Sequence, residues 1–191
     1  MNNKSNNKNI ISSKLYIISC VISIILGIFL HFIYTLLHKP FIIGLFLPIN
    51  ESVWEHLKLV LIPMNMFGLF YSAIYKKNNY KLNNFWFYTS MAIIISMVII
   101  TTTHYLCLLI LKNVPPFFDI GLYIVSMIIS FYYIYKNMKK EYIDANNKDK
   151  NSTGILIITT MYLIFIIFTI YPPRLELFKD PITNTFGIYL L

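Results

Sequence analysis

The chain has 191 residues, of which 57% are hydrophobic and 13% charged, and its formal net charge is +8. Soluble domains contain roughly 25% charged and 45–50% apolar residues, so this composition excludes an ordinary soluble domain and predicts an integral membrane protein. The positive charge does not indicate nucleic acid, because the lysines occur in short runs between apolar segments. Membrane lipids are therefore the expected partners, and protein partners are left open.

The first predicted element is an Asn-, Lys- and Ser-rich tail, residues 1–14, which is expected to be disordered and cytoplasmic. Five apolar segments then approach the roughly 20 residues that a helix needs to cross a membrane. The first is too long for a signal-peptide core and has no small-residue cleavage site, so it is predicted to be retained. The expected fold is an all-α, polytopic transmembrane helical bundle. Its predicted helices are 15–37, 54–75, 85–110, 117–135 and 154–171.

The lysine distribution predicts how the bundle is oriented. With the N-terminus in the cytoplasm, eleven of the 16 Lys and Arg residues fall on the inner side and five on the outer side. This asymmetry follows the positive-inside rule. We therefore expect a protein of the cell membrane with an extracytoplasmic C-terminus. A bacterial origin is expected because the bias toward Ile, Asn, Lys and Tyr is typical of an AT-rich genome.

Two segments are predicted not to span the membrane. Pro40–Ile49 is apolar but only about ten residues long, so it is expected to be re-entrant or to lie along the outer interface. The Tyr171-Pro172-Pro173 run ends the fifth helix, because proline cannot continue it. The transmembrane domain is thus 15–171, and residues 172–191 form an extracytoplasmic tail. The two cysteines are expected at opposite depths and therefore unpaired.

Ionisable residues concentrate on the predicted outer side, most densely in residues 50–58, at the start of the second helix. Ser52 and Glu55 have the spacing of a capping box, which satisfies free backbone amides at a helix start. Lys58 is placed to pair with Glu55 three residues earlier. Capping and anchoring are therefore one interpretation of this motif. A helical wheel places one polar stripe along Glu51, Glu55, Lys58, Asn65 and Ser72.

A functional site is the other interpretation of the same residues. Carboxylates and imidazoles at a membrane boundary are able to bind a divalent metal, act as acid and base, or relay protons. The His-Glu-x-x-His and Gly-x-Ser-x-Gly patterns do not occur in the sequence, so metal and cofactor are left open. The candidate catalytic residues are Glu51, Glu55 and His56, and the candidate binding residues are His31, Lys58, His104 and Asp180.

A site requires these side chains to converge laterally as well as in depth. We expect Glu51, Glu55 or both to point into the bundle within about 10 Å of His31 or His104. Asp180 is expected to fold over the same opening. His31 also has a simpler explanation, because it continues a small-residue helix face of the kind that packs helices closely.

Two stretches of the sequence resemble a known family. The run Pro48–Lys58, PINESVWEHLK, closely resembles the signature of DUF6512, a family of uncharacterised bacterial membrane proteins. The run Tyr171–Pro181, YPPRLELFKDP, followed by Phe186-Gly187, is similar to that family's closing segment. The resemblance covers most of the chain. It implies several membrane helices and assigns no catalytic role to any residue.

Three functions are compatible with these features. A non-catalytic membrane component, whose outer cluster holds the fold or a partner, is favoured. One alternative is a membrane-embedded enzyme acting on a lipid or lipid-linked substrate at the outer leaflet, with Glu51 or Glu55 as base. The other is a small-solute or proton-linked transporter with Asn65 on its path. A carrier needs polar residues along the whole path, and the inner half of the predicted bundle has few.

Overall fold

The fold is an all-α bundle, as predicted. The computed structural model describes residues 13–77, 82–112, 114–143 and 149–188. The predicted cytoplasmic tail lies outside this range except for Ser13 and Lys14, which belong to the first helix. The elements are α1 (Ser13–Leu36), α2 (Phe41–Gly44), α3 (Val53–His56), α4 (Lys58–Lys77), α5 (Phe85–Leu111), α6 (Pro116–Ile143), α7 (Asn151–Ile170) and a 3₁₀ turn (Glu176–Phe178).

Within the described residues, five helices are long and apolar enough to cross a membrane. They are α1, α3 and α4 taken together, α5, α6 and α7. Their outward faces carry large apolar side chains, such as Leu109, which is 80% exposed. Lipid is the solvent in which such faces are stable, and a helix satisfies its own backbone hydrogen bonds there. The chain is therefore a multi-pass membrane protein.

The five helices pack around a common core. Helix α5 lies against α4, α6 and α7, and α1 lies against α4 and α6. At Gly27, α1 approaches α6 so closely that an added Cβ would collide with the Tyr123 hydroxyl. The small-residue face predicted for α1 is thus a packing face, as expected in membrane bundles where small residues permit close helix approach.

Pro63 lies inside α4 and interrupts its backbone hydrogen bonding. A proline has no N–H, so the carbonyl of Leu59, four residues earlier, loses its usual partner. The Tyr123 hydroxyl lies 3.4 Å from this Leu59 oxygen and 3.3 Å from the Ser23 oxygen. The single O–H of Tyr123, on α6, is therefore shared between carbonyls of α1 and α4, and one of these is the carbonyl whose partner the proline removes.

The ends of the helices bring the candidate residues to one side. The C-terminal ends of α1, α5 and α7 and the N-terminal ends of α3 and α6 lie together, and we call this side the site end. The segment Pro40–Ile49 forms the short helix α2 and turns. The segment after α7 folds back, because Ile188 donates its N–H to the Thr169 carbonyl at 3.0 Å. Cys20 and Cys107 are free.

Candidate functional site

The capping box forms only in part. The Ser52 hydroxyl accepts from the Glu55 N–H at 3.3 Å, so Ser52 caps α3 as predicted. The Glu55 carboxylate does not accept a hydrogen bond from the Ser52 N–H, which would complete the capping box. It accepts instead from the Ile49 N–H at 3.1 Å and from the Lys58 ammonium at 2.6 Å. The buried ammonium is the stronger partner, because its hydrogen bond is charge-assisted.

Glu55 and Lys58 form a closed ion pair, with only 2% and 1% of their surfaces exposed. Lys58 also donates to the carbonyls of Gly44 and Leu47 at 3.0 and 3.3 Å, and to the Thr169 hydroxyl at 2.7 Å. Thr169 in turn donates to the other oxygen of Glu55 at 3.0 Å. The pair ties the α2 segment, the start of α4 and the end of α7 together, so its evident role is structural.

A second polar centre consists of His31, Glu51 and His56, and we call it the histidine cluster. One ligand-type atom from each of the three lies within 4.8 Å of the others. Nε2 of His31 is 3.6 Å from one Glu51 oxygen, and Nε2 of His56 is 3.4 Å from the other. The side chains are 25%, 41% and 30% exposed in chain order, so the cluster is open at the site end. Glu51 thus meets His31 as expected from the sequence.

The backbone explains why the two glutamates diverge. Ser52 has extended backbone angles, φ −69° and ψ 148°, and the helix starts only at Val53. Glu51 therefore precedes the helix and does not share a helical face with Glu55. The prediction that Glu51 belongs to the polar stripe of this helix is therefore wrong.

The environment of Glu51 favours its ionised form. The His56 ring that faces the carboxylate is the main effect, and it lowers the pKa of the Glu51 carboxyl. Partial burial acts in the opposite direction, while the charge that His56 or His31 carries when protonated lowers the pKa further. The net direction is downward, so Glu51 is a carboxylate at neutral pH.

A further imidazole–carboxylate pair borders the cluster. Nδ1 of His104, on α5, lies 2.8 Å from an Asp119 oxygen at the start of α6. Asp119 is also close enough to act electrostatically on His56. The α5–α6 hairpin brings the pair together, with Asp119 in the first turn of α6.

The remaining candidates occupy other positions. Asp180 uses both carboxylate oxygens within its own turn, accepting from the Ile182 N–H and the Thr183 hydroxyl at 2.8 Å each. The segment before it covers Trp54, whose ring centroid lies 4.8 Å from that of Phe178. Asp180 thus shapes the C-terminal segment, and its oxygens are already engaged. Thr169, which links Glu55 to Lys58, carries no signal in the sequence that would have identified it.

The comparisons with known proteins identify the family. Residues 1–188 match the model of DUF6512, a family of unknown function. This chain belongs to the DUF6512 family. No curated protein and no solved structure matches it. The stretch that resembles the DUF6512 signature, Pro48–Lys58, supplies residues to both polar centres.

Proposed function

We propose that this DUF6512 protein is a non-catalytic binding component of the membrane, and that its ligand binds at the histidine cluster. The observation that carries this proposal is the convergence of three ligand-type atoms, from α1, α3 and the segment before α3, within 4.8 Å. The three side chains are partly exposed, so a ligand has access to them.

The two polar centres differ in how tightly they are closed. The Glu55–Lys58 pair, with a 2.6 Å contact, is nearly inaccessible. The contacts of Glu51 with His31 and His56, at 3.6 and 3.4 Å, are longer than the 2.7–3.2 Å of an N–H···O hydrogen bond. The longer contacts and the partial exposure of the histidine cluster leave room for a ligand, whereas the closed ion pair leaves none.

The direction from which the ligand arrives follows from the orientation. The lysine asymmetry supports a cytoplasmic N-terminus and an extracytoplasmic C-terminus in the cell membrane. In that orientation the site end faces the outside. The ligand then reaches the histidine cluster from the extracytoplasmic side.

A second candidate is a membrane-embedded enzyme acting on a lipid or lipid-linked substrate. The His104–Asp119 contact of 2.8 Å favours it, because a carboxylate that orients an imidazole is a common arrangement for a general base. Transport is not proposed. Asn65, the residue placed on a transport path, donates its amide to the Tyr162 hydroxyl at 3.0 Å, which supports a packing role.

A thermal-shift experiment on the full chain in lipid nanodiscs tests the binding function. Three classes of ligand are added in turn: divalent metals, phosphate-containing headgroup analogues and small organic cations. We expect at least one class to raise the melting temperature of the wild type and not that of Glu51→Gln. Glu176→Gln, which changes an exposed carboxylate, is the matched control and should respond like the wild type.

One result would contradict this proposal, and another would favour the enzyme candidate. Equal responses of wild type and Glu51→Gln to every class would contradict binding at the cluster.

Incubation of the nanodiscs with a lipid extract, followed by mass spectrometry, tests the enzyme candidate. A product that forms with wild type and not with Glu51→Gln would favour catalysis over binding alone.

A further inference from the structure

The hydrogen bonding of His56 defines its tautomer. Nδ1 of His56 lies 2.8 Å from the Ser52 carbonyl oxygen. A carbonyl only accepts, so Nδ1 carries the proton and donates it. In the neutral ring, Nε2 then carries a lone pair, and it faces a Glu51 oxygen at 3.4 Å. Two lone pairs in this arrangement repel unless a cation lies between them.

The spacing of the ligand atoms is longer than a shared proton would require. Metal–nitrogen and metal–oxygen bonds of about 2.0–2.2 Å in a tetrahedral arrangement separate neighbouring ligand atoms by about 3.4 Å. Nε2 of His31 lies 3.6 Å from one Glu51 oxygen and Nε2 of His56 lies 3.4 Å from the other, and one ligand atom from each residue lies within 4.8 Å of the other two. Small side-chain movements therefore bring the three groups to the spacing of one ion. A proton shared between nitrogen and oxygen would bring these atoms to roughly 2.7–3.2 Å.

The two imidazoles are not arranged as a pair of cations. The rings of His31 and His56 stack, with centroids 5.0 Å apart and planes at 28°. Two imidazolium cations in this position would repel each other, whereas two neutral rings are suitable ligands. The buried Nδ1 of His31 has no hydrogen-bond partner in the part of the chain that the structure describes. The tautomer with a free Nε2 therefore buries an unpaired N–H at Nδ1, and the metal bond at Nε2 has to offset that cost.

The charges around the cluster suit a divalent ion. Glu51 supplies one negative charge to the ion, and Asp119, which contacts His104 at 2.8 Å, is near enough to add negative potential at His56. The partner of Nδ1 in His56 is a backbone carbonyl, which is a usual outer contact of a metal-binding histidine.

We infer that Nε2 of His31, Nε2 of His56 and the Glu51 carboxylate bind one divalent transition-metal ion of the Zn²⁺ type. This inference rests on the proposed function, because it names the ligand of the same cluster. Imidazole–carboxylate sets suit such ions, while Mg²⁺ and Ca²⁺ prefer oxygen ligands. The partly exposed side chains leave a fourth position for water or for a group of a partner molecule.

Metal analysis of the full-length protein tests the site directly. The protein is purified in detergent, stripped with a chelator and dialysed against Zn²⁺ or Co²⁺. We expect about one ion per chain by mass spectrometry, and the strong visible absorption that tetrahedral Co²⁺ shows. Glu51→Gln and His56→Gln should each weaken Zn²⁺ binding by at least about 10- to 100-fold, since even the loss of an outer contact has this effect.

His38→Asn is the matched control, because it removes an exposed imidazole that lies just after the C-terminal end of α1, outside the histidine cluster. His38 has a positive φ of 62°, a conformation that asparagine tolerates. This variant should bind Zn²⁺ like the wild type. Circular dichroism and gel filtration establish that each variant is folded. Should the cluster variants fail to fold, the Co²⁺ spectrum of the wild type decides alone.

The outcomes separate the inference from the proposed function. No retained ion and no Co²⁺ spectrum in the wild type would overturn the metal site and indicate a protonated imidazole paired with Glu51. Equal binding by the cluster variants, or selective binding of Mg²⁺ or Ca²⁺, would also overturn it. If another ligand class stabilises the wild type through Glu51, the metal inference fails and the binding function stands. If no class does, both fail.

Discussion

Replacing Lys58 with methionine tests whether the buried ion pair is structural. Methionine has a similar length and no charge, so the change removes the ammonium group and leaves the Glu55 carboxylate in place. Glu55 keeps only two short hydrogen bonds, from the Ile49 N–H at 3.1 Å and the Thr169 hydroxyl at 3.0 Å. The carbonyls of the α2 segment that Lys58 contacts lose their donor as well.

The expected loss of stability is large. Removing one partner of a buried ion pair typically costs about 3–5 kcal/mol, because the other charge stays buried without compensation. For a chain of this size, each kcal/mol corresponds to about 2–4 °C in melting temperature, so a decrease of about 6–20 °C follows. The double variant Glu55→Met/Lys58→Met should lose less than the sum of the two single variants, since no unpaired charge remains.

The chain contains its own matched control. Glu176 and Lys179 have the same residue types and the same spacing, but their contact is 3.6 Å and the Glu176 side chain is 78% exposed. An exposed pair contributes at most about 1 kcal/mol, so Lys179→Met should change the melting temperature little. Because the chain has two tryptophans, Trp86→Phe as a common background leaves Trp54 as the fluorescent reporter.

Trp54 is a suitable reporter because it is next to Glu55 and packs against Phe165 at a centroid distance of 4.4 Å. Unfolding of the site end therefore changes its fluorescence. Equal shifts for Lys58→Met and Lys179→Met would refute the reasoning. Glu55 would then be free for the catalytic role that the sequence also suggested.

Two further predictions concern the topology and the packing. An exterior-active reporter fused to Leu191 should be active and one fused after Lys140 should not, because the lysine asymmetry favours a C-terminus outside the cell. The opposite pattern would reverse the proposed orientation, and the site end would then face the cytoplasm. Gly27→Ala should destabilise the bundle by about 1–3 kcal/mol, because the added methyl group meets the Tyr123 hydroxyl. Tyr123→Phe should recover part of this loss in thermal denaturation, and no recovery would show that the hydroxyl is not the obstacle.

The sequence alone determined the class of the protein and the positions of its helices. Long apolar segments predict spanning helices because a membrane demands a certain length of apolar chain, and this requirement is local. The cap at Ser52 and the Glu55–Lys58 pairing were also predictable, because the partners are separated by three residues. Local spacing decides such contacts.

Only the tertiary structure decided which glutamate belongs to which centre. From the sequence, Glu51 and Glu55 are four residues apart and share a helical face. In the structure, the extended backbone at Ser52 separates them. Glu55 then meets Thr169 of α7, more than a hundred residues away, and Glu51 meets His31 of α1. Such contacts depend on how helices rotate and pack against one another, and spacing along the chain does not encode that.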